Sequence, residues 1–515
     1  MTADPVYPPY VDPTAPVPEL ATLGRVHIVG IGGSGMSAIA RLLIDAGVPV
    51  SGCDAVETDH AAGLRGATVV IGHDAAHVAE ADTVVVSTAI RESNPEVAEA
   101  RRRGLPVLHR SIAMASVAAG RRVVAVAGAH GKTSTTSMLA TALESCGADP
   151  SYAIGGELTA TGANARLGTG DVFVAEADES DGSFLLLWPA GAIVTNIELD
   201  HLDRHGDLAG IRRAYRSFVD TIVPDGFLVL CADDPDTLAL RDAALAAGLR
   251  VRTYGLGEAD LTLHDVRLAD GATSYDAVLD GAPLGRVRIG ALGEHMALNS
   301  AATLLAGTEL GFPVDRLVTG LARYAGVHRR FELLGTADGV RVYDDYAHHP
   351  TEIAAQLRAA RSAVGAGRLI AVFQPYLYTR TRAFAAQFAA ALGLADEAVV
   401  MEIAVNREDP IPGVTGRLIA ERVPLPAPQV LFAPDWAGTA SAVAARARAG
   451  DTVVLLGSGP VYRLAPEILD LLAARAGRAG APPNTTEPSA GQPGMTEHTA
   501  TPTEGRTMTS DGTVR

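Results

Sequence analysis

Cysteine is scarce in this chain. Its three copies, Cys53, Cys146 and Cys231, stand too far apart for a CxxC pair or for metal-type spacing, so neither a disulfide framework nor a zinc site is expected from the sequence. A reduced, cytoplasmic setting fits that usage. Positive charge is also in short supply, with 42 Lys and Arg against 59 Asp and Glu and a net charge of −17. Phosphate backbones and anionic headgroups are held by clustered cations. Nucleic acid and membrane surfaces are therefore not expected as partners, and any phosphate-bearing ligand must be gripped locally. Long apolar runs are missing too: nothing approaches the roughly 18 residues of a membrane span. The opening "MTADPVYPPYVDPTAPVPEL" has neither the basic nor the apolar segment of a secretory leader, so a soluble, non-exported chain is expected.

What is present is an alternation. Short β-branched stretches such as "RVHIVG", "DTVVVSTA", "RRVVAVAG", "AGAIVTNI", "RLIAVFQPY" and "DTVVLLGSG" are separated by Ala- and Leu-rich segments with helical character. Strand followed by helix predicts parallel sheets with right-handed crossovers and ligands at the strand C-terminal ends. The 515 residues, 48% of them hydrophobic, suit about three such α/β domains. The expected divisions are a loose Pro-rich arm over 1–20, domains over 21–119, 120–322 and 323–473, and a Thr-, Gly- and Pro-rich tail over 474–515 that holds too few large apolar residues to fold alone.

Two glycine-rich turns carry the chemistry. In "VGIGGSGMSAIA", Gly30, Gly32 and Gly35 fit G-x-G-x-x-G between a strand and a helix, with Asp54 ending the next strand. Such a turn brings backbone N–H groups to a diphosphate at a helix N-terminus. A dinucleotide, another nucleotide or nucleotide-sugar, and a purely structural turn all remain compatible with it. The second, "GAHGKTSTT", is a shortened Walker-type loop running through Gly128, Ala129, His130, Gly131, Lys132, Thr133 and Ser134. Its amides can cradle phosphates, Lys132 can meet β- and γ-phosphate charge, and Thr133 can ligate Mg²⁺. Downstream, Glu176 in "EADESDGSF" and the group Asp200, His201, Asp203 and His205 in "ELDHLDRHG" follow candidate strands. Their carboxylates are the hard oxygen ligands that Mg²⁺ prefers, with imidazole a less usual addition.

The order of these strings, continued by "GVHRRFE", "DDYAHHPTEI", "FQPYLYTRT" and "REDPIPGVTG", resembles the Mur ligase family, the ATP-dependent amide-forming enzymes of peptidoglycan precursor synthesis. The resemblance implies a three-domain architecture: a Rossmann-like N-terminal domain, a P-loop ATPase-like central domain and a Rossmann-like C-terminal domain. "DDYAHHPTEI" and "IPGVTG" are similar to the branch that joins L-alanine to UDP-N-acetylmuramate, forming ADP. The first loop would then hold the UDP-sugar through Gly30, Gly32, Gly35, Asp54 and Ser87, and the second would hold ATP. On that resemblance Lys132 meets the phosphates, Thr133 and Glu176 share one Mg²⁺, and His201 lies by a second. His295 and Asn299 approach the adenine, and Arg330 the nucleotide. Asp345, Tyr346, His348 and Arg380 orient the amino acid and the transferred phosphoryl group.

Four positions depart from the family pattern: Met296 follows His295 in place of Asn, Tyr376 replaces the His of "FQPH", "EIAVNRED" stands for a "DIY" string, and "GSGP" for "GAGD". A phenol lacks the imidazole's proton chemistry near neutral pH, so Tyr376 bears on the choice of amine. Besides the L-alanine ligase, the sequence admits a paralogue using a different amine, a catalytically idle UDP-sugar binder, and a nicotinamide-dependent oxidoreductase built on the first loop alone.

Overall fold

The computed structural model describes residues 16–201, 205–404 and 408–479. Asp203 of the expected acidic and histidine group therefore lies outside the described residues, as do most of both expected tails. Among the described residues three sheets form, and no helix is long and apolar enough to cross a membrane.

The first sheet has strand order Ala67–Ile71, Val50–Asp54, Val26–Val29, Thr83–Val86, Val107–His109, all parallel. The chain crosses from one side of Val26–Val29 to the other, so the crevice at the end of that strand is a topological switch point. The first glycine loop occupies it and feeds the helix Ser34–Asp45.

The middle sheet is built around Arg122–Ala127, flanked by Gly191–Val194 and Val172–Glu176. From residue 123 to 127 this strand is wholly buried, the pattern of a parallel strand covered on both faces. It delivers the second glycine loop to the helix Lys132–Ser145. The sheet is not purely parallel, however. Leu261–Ala269, Ala272–Leu279 and Ala282–Ile289 form an antiparallel meander at one edge, and Ser151–Ala153 pairs antiparallel with Ala165–Arg166 at the other. Strand-helix alternation did not anticipate these strands, because tight turns at Asp270–Gly271 and Asp280–Gly281, with all four residues at positive φ, join them without any helix.

The third sheet runs Glu332–Ala337, Val340–Asp345, Thr452–Leu456, Leu369–Phe373, Glu397–Met401, Val430–Ala433, antiparallel only at its first pair. Its Val340–Asp345 strand leads through "YAHH" into the helix Pro350–Val364. There His349 is the N-cap and Glu352 closes a capping box, with Pro350 in the first turn. The closing helix Ala465–Ala479 passes the boundary expected at residue 473.

Candidate functional site

The second glycine loop is shaped by backbone conformation. Gly128 and Gly131 hold φ of 138° and 83°, which side-chain-bearing residues rarely adopt. Space is closed as well: a Cβ on Gly128 would collide with Thr195 Oγ1, and one on Gly131 would stand 2.6 Å from Asn299 Oδ1. Asn196 secures the loop by accepting from the His130 N–H (2.8 Å) and donating to the His130 carbonyl (3.0 Å).

Lys132 folds back over this loop. Its ammonium donates to the Gly128 carbonyl (2.6 Å) and to both carboxylate oxygens of Glu179 (3.1 and 2.9 Å). Burial opposes the ammonium charge, but Glu179, Asp178 and Glu176 together hold it well above its ordinary pKa. Burial, with Asp178 behind it, pushes the Glu179 carboxyl up even against the pull of Lys132. Beside this pair, the Thr133 hydroxyl donates to Glu176 Oε1 (3.2 Å) and also accepts from Arg330 Nη2 (3.2 Å), while Glu176 Oε2 accepts from the Gly155 N–H (2.7 Å). His201, with φ of 49°, points Nε2 toward Glu179 Oε1 (3.9 Å) and Asp200 Oδ2 (3.7 Å).

Residues of all three sheets converge here. A cavity of about 300 Å³ is lined by Gly35 and Arg110 from the first region, by Gly131, Lys132, Thr133, Glu176 and His201 from the second, and by Arg330, Tyr346 and His348 from the third. A neighbouring cavity of about 600 Å³ is lined by His130, Gly131, Ser134, His295, Met296, Asn299, Arg330 and Asp345. The two share the second loop and Arg330. One is suited to reacting groups, and the other is wide enough for a flat heterocycle. Met296 places its sulfur 3.9 Å from Asn299 Nδ2, so the departure from the family pattern leaves a soft apolar wall rather than a second amide.

At the third region's edge, Asp345 accepts from the Phe331 and Ala347 N–H groups (both 2.8 Å). Burial pushes its carboxyl up to about 7, against the pull of Arg330. His348 donates through Nδ1 to the Tyr346 carbonyl (3.1 Å), and burial draws it down to about 4. His295 is likewise drawn to about 4 by burial and by Arg330. Two guanidinium groups approach the Tyr346 ring, Arg329 at 4.9 Å and Arg330 at 5.3 Å from its centre. Arg380 is held by Asp200 in a buried bidentate pair (2.7 and 2.8 Å), so it braces the second and third regions against each other.

Of the first-loop residues, Gly35 reaches the shared cavity, while Gly30, Gly32, Asp54 and Ser87 shape its crevice. Asp54 Oδ2 accepts from the Gly32 N–H (2.9 Å), and Ser87 Oγ accepts from Ala89 (3.4 Å). Sequence reading missed several neighbours. Arg110 donates to Asp178 (3.0 Å) and Asp181 (2.9 Å). His130 faces Glu198 (2.9 Å) and Glu352 (3.2 Å), and Glu198 also accepts from Thr351 (2.6 Å). Arg329 donates to the Gly457 and Gly459 carbonyls (2.9 and 3.0 Å), so the "GSGP" turn serves through its backbone.

Three family profiles match in sequence: "Mur ligase family, catalytic domain" over residues 25–122, "Mur ligase middle domain" over 126–307 and "Mur ligase, glutamate ligase domain" over 329–459. The UDP-N-acetylmuramate–L-alanine ligase of Saccharopolyspora erythraea is 53% identical over 469 residues, which are 89% of this chain and 95% of that relative. The chain belongs to the Mur ligase family. A second Mur ligase of the same name, from Acidothermus cellulolyticus, is 52% identical and is covered to 97% of its length, with 89% of this chain aligned. Among solved Mur ligase structures, the UDP-N-acetylmuramate-alanine ligase of Thermotoga maritima superposes with a TM-score of 0.74 at 26% identity, covering 88% of this chain and 99% of its own.

Proposed function

We propose that this Mur ligase joins the amine of L-alanine to the carboxylate of UDP-N-acetylmuramate in peptidoglycan precursor synthesis, converting ATP to ADP and phosphate. The observation that carries this reading is the 53% identity, over nearly the whole length of both chains, to a relative named for that reaction. A carboxylate does not condense with an amine unless its oxygen is first made a leaving group. Its attack on the γ-phosphorus of ATP expels ADP and gives an acyl phosphate. The amine then adds to the acyl carbon, phosphate departs, and an amide remains. Both steps depend on positioning and charge compensation rather than on a protein nucleophile.

Each sequence-derived residue then has a proposed place. Gly30, Gly32 and Gly35 present backbone to the UDP-sugar, with Asp54 and Ser87 setting the crevice. Gly128, Ala129, His130, Gly131 and Ser134 cradle the ATP phosphates, while His295 and Asn299 line the wider cavity for the base. Lys132 and Arg330 meet the charge that develops during phosphoryl transfer. Asp345, Tyr346 and His348 receive the amino acid, and Arg380 keeps the third region in reach. The oxygen donors of Thr133 and Glu176, 3.2 Å apart, suit a hard divalent cation, with His201 beside a second; Mg²⁺ there would offset the negative charge of the phosphate oxygens.

Phosphate release from ATP in the presence of Mg²⁺ and UDP-N-acetylmuramate tests the reading. L-alanine is expected to stimulate it well above glycine, L-serine or no amine. Equal stimulation by the three amines would move the proposal to a less selective paralogue, and no release with any of them would sink the ligase assignment.

A further inference from the structure

Away from the shared cavity, the first region buries a set of side chains that the ligase reaction does not use. His27 lies on the strand Val26–Val29 and Cys53 on Val50–Asp54, while Glu96 sits in the first turn of the helix Pro95–Arg103. Their relative exposures are 1%, 0% and 0%, and one donor atom from each lies within 4.8 Å of the other two. His73 stands beside two of the three, its Nδ1 3.4 Å from Cys53 Sγ and 3.3 Å from Glu96 Oε1.

Two of these buried atoms, His27 Nε2 and Glu96 Oε2, have no hydrogen-bond partner among the described residues. An unsatisfied buried polar atom is costly, so the pair calls for an occupant. The surroundings are arranged as an outer shell. The other His27 nitrogen, Nδ1, is engaged by Ser51 Oγ (3.0 Å), and Glu96 Oε1 accepts from His77 Nδ1 (3.1 Å) and the Asp74 N–H (3.0 Å). Orientation of ligands by such partners is the usual support of a metal centre.

We propose that His27 Nε2, Cys53 Sγ, the Glu96 carboxylate and His73 Nδ1 form a four-coordinate site for a Zn²⁺-type divalent ion. One sulfur, two nitrogens and one oxygen make a borderline-soft set that suits Zn²⁺ and disfavours Mg²⁺. Tetrahedral Zn²⁺ places its donors roughly 3.3–3.7 Å apart; His73 already stands at that spacing from Cys53 and Glu96, and binding would draw His27 inward to join them. Binding replaces the Cys53 S–H proton with the ion and releases that proton to solvent. His73 and His77 are the exposed edge, with side-chain exposures of 28% and 18%, and give the ion a way in. The Cys53 carbonyl accepts from the Gly30 and Ile31 N–H groups (2.8 and 3.0 Å), so the ion would fasten the first glycine loop from beneath. Cysteine spacing did not suggest this centre, because its four ligands come from four separate segments.

The test uses the full chain stripped with a chelator and titrated with Co²⁺. One equivalent is expected to give a thiolate-to-cobalt charge-transfer band and visible bands of tetrahedral intensity. Cys53→Ser should remove the charge-transfer band, while Cys146→Ser, Cys231→Ser and His349→Ala should keep it. Competition with a chromophoric chelator should show Zn²⁺ binding weakened more than about 100-fold in Cys53→Ser, beyond the effect of losing an outer-shell partner. A missing band, a band that survives Cys53→Ser, or unchanged Zn²⁺ affinity in that variant would overturn the proposal. X-ray absorption at the zinc edge of the unmutated protein gives a reading that does not depend on any variant folding: one sulfur scatterer is expected, and nitrogen and oxygen alone would refute it.

Discussion

At the scale of single residues, Lys132 decides most. Its ammonium is spoken for by Glu179 and the Gly128 carbonyl, and that pairing separates two effects of its removal. Lys132→Met should lower kcat by about 10²- to 10³-fold, the usual loss for one electrostatic contact to a transition state. It should also lower the melting temperature, because Glu179 is left buried without its partner, a change worth about 3–5 kcal/mol. The double variant Lys132→Met/Glu179→Gln should recover stability but not turnover; recovery of both would remove Lys132 from the chemistry. The lysine itself was legible from its Gly-Lys-Thr setting, but its counter-ion was not. "EADESDGSF" offers Glu176, Asp178, Glu179 and Asp181 within six positions, and only the fold assigns Glu176 to Thr133, Glu179 to Lys132, and the two aspartates to Arg110.

At the scale of elements, the turns from strand to glycine to helix were readable because their signal is local: a buried β-branched run, glycines where φ is positive, then a helix. Gly131 tests how much rests on that geometry. Its left-handed conformation costs an alanine roughly 1–2 kcal/mol, and the added carbon would press on Asn299. Gly131→Ala should therefore weaken ATP binding by at least about 10-fold in calorimetry, and wild-type affinity would show that this loop does not touch the nucleotide. The antiparallel strands between 261 and 289 were not readable in the same way. Their faces are only partly covered, with burial broken by exposed His264, Asp265 and Arg288, so no sustained period marks them. Glu352 was hidden for a different reason. It reads as the ordinary closing member of a capping box, and its approach to His130 is a contact across more than two hundred residues of chain.

Across the whole molecule, the middle and third regions are pinned by Arg380 on Asp200, by Thr351 on Glu198, and by His130 between Glu198 and Glu352. Only the last responds to mild alkali. Burial alone would lower the imidazole pKa, but the two carboxylates overcome it and push His130 up to about 9. A histidine raised in the folded state gives its full stabilisation below its unfolded value of about 6.5 and loses it as pH rises through the folded value. The nucleotide-free protein should accordingly show a larger radius of gyration by small-angle scattering at pH 9.5 than at pH 6.5. His130→Gln should flatten that difference, and a radius constant across the range would mean that the remaining contacts suffice.

If Lys132 meets the nucleotide as proposed, its resting pair with Glu179 makes nucleotide uptake an ion exchange. On the proposed role of Lys132, the triphosphate would not enter a vacant cationic seat but would evict a carboxylate that already contacts the ammonium through both oxygens. A ligand with a single phosphate offers Lys132 little more than Glu179 does. On that reading the loop would carry a built-in threshold of negative charge, one that a nucleotide with a single phosphate is poorly placed to pass.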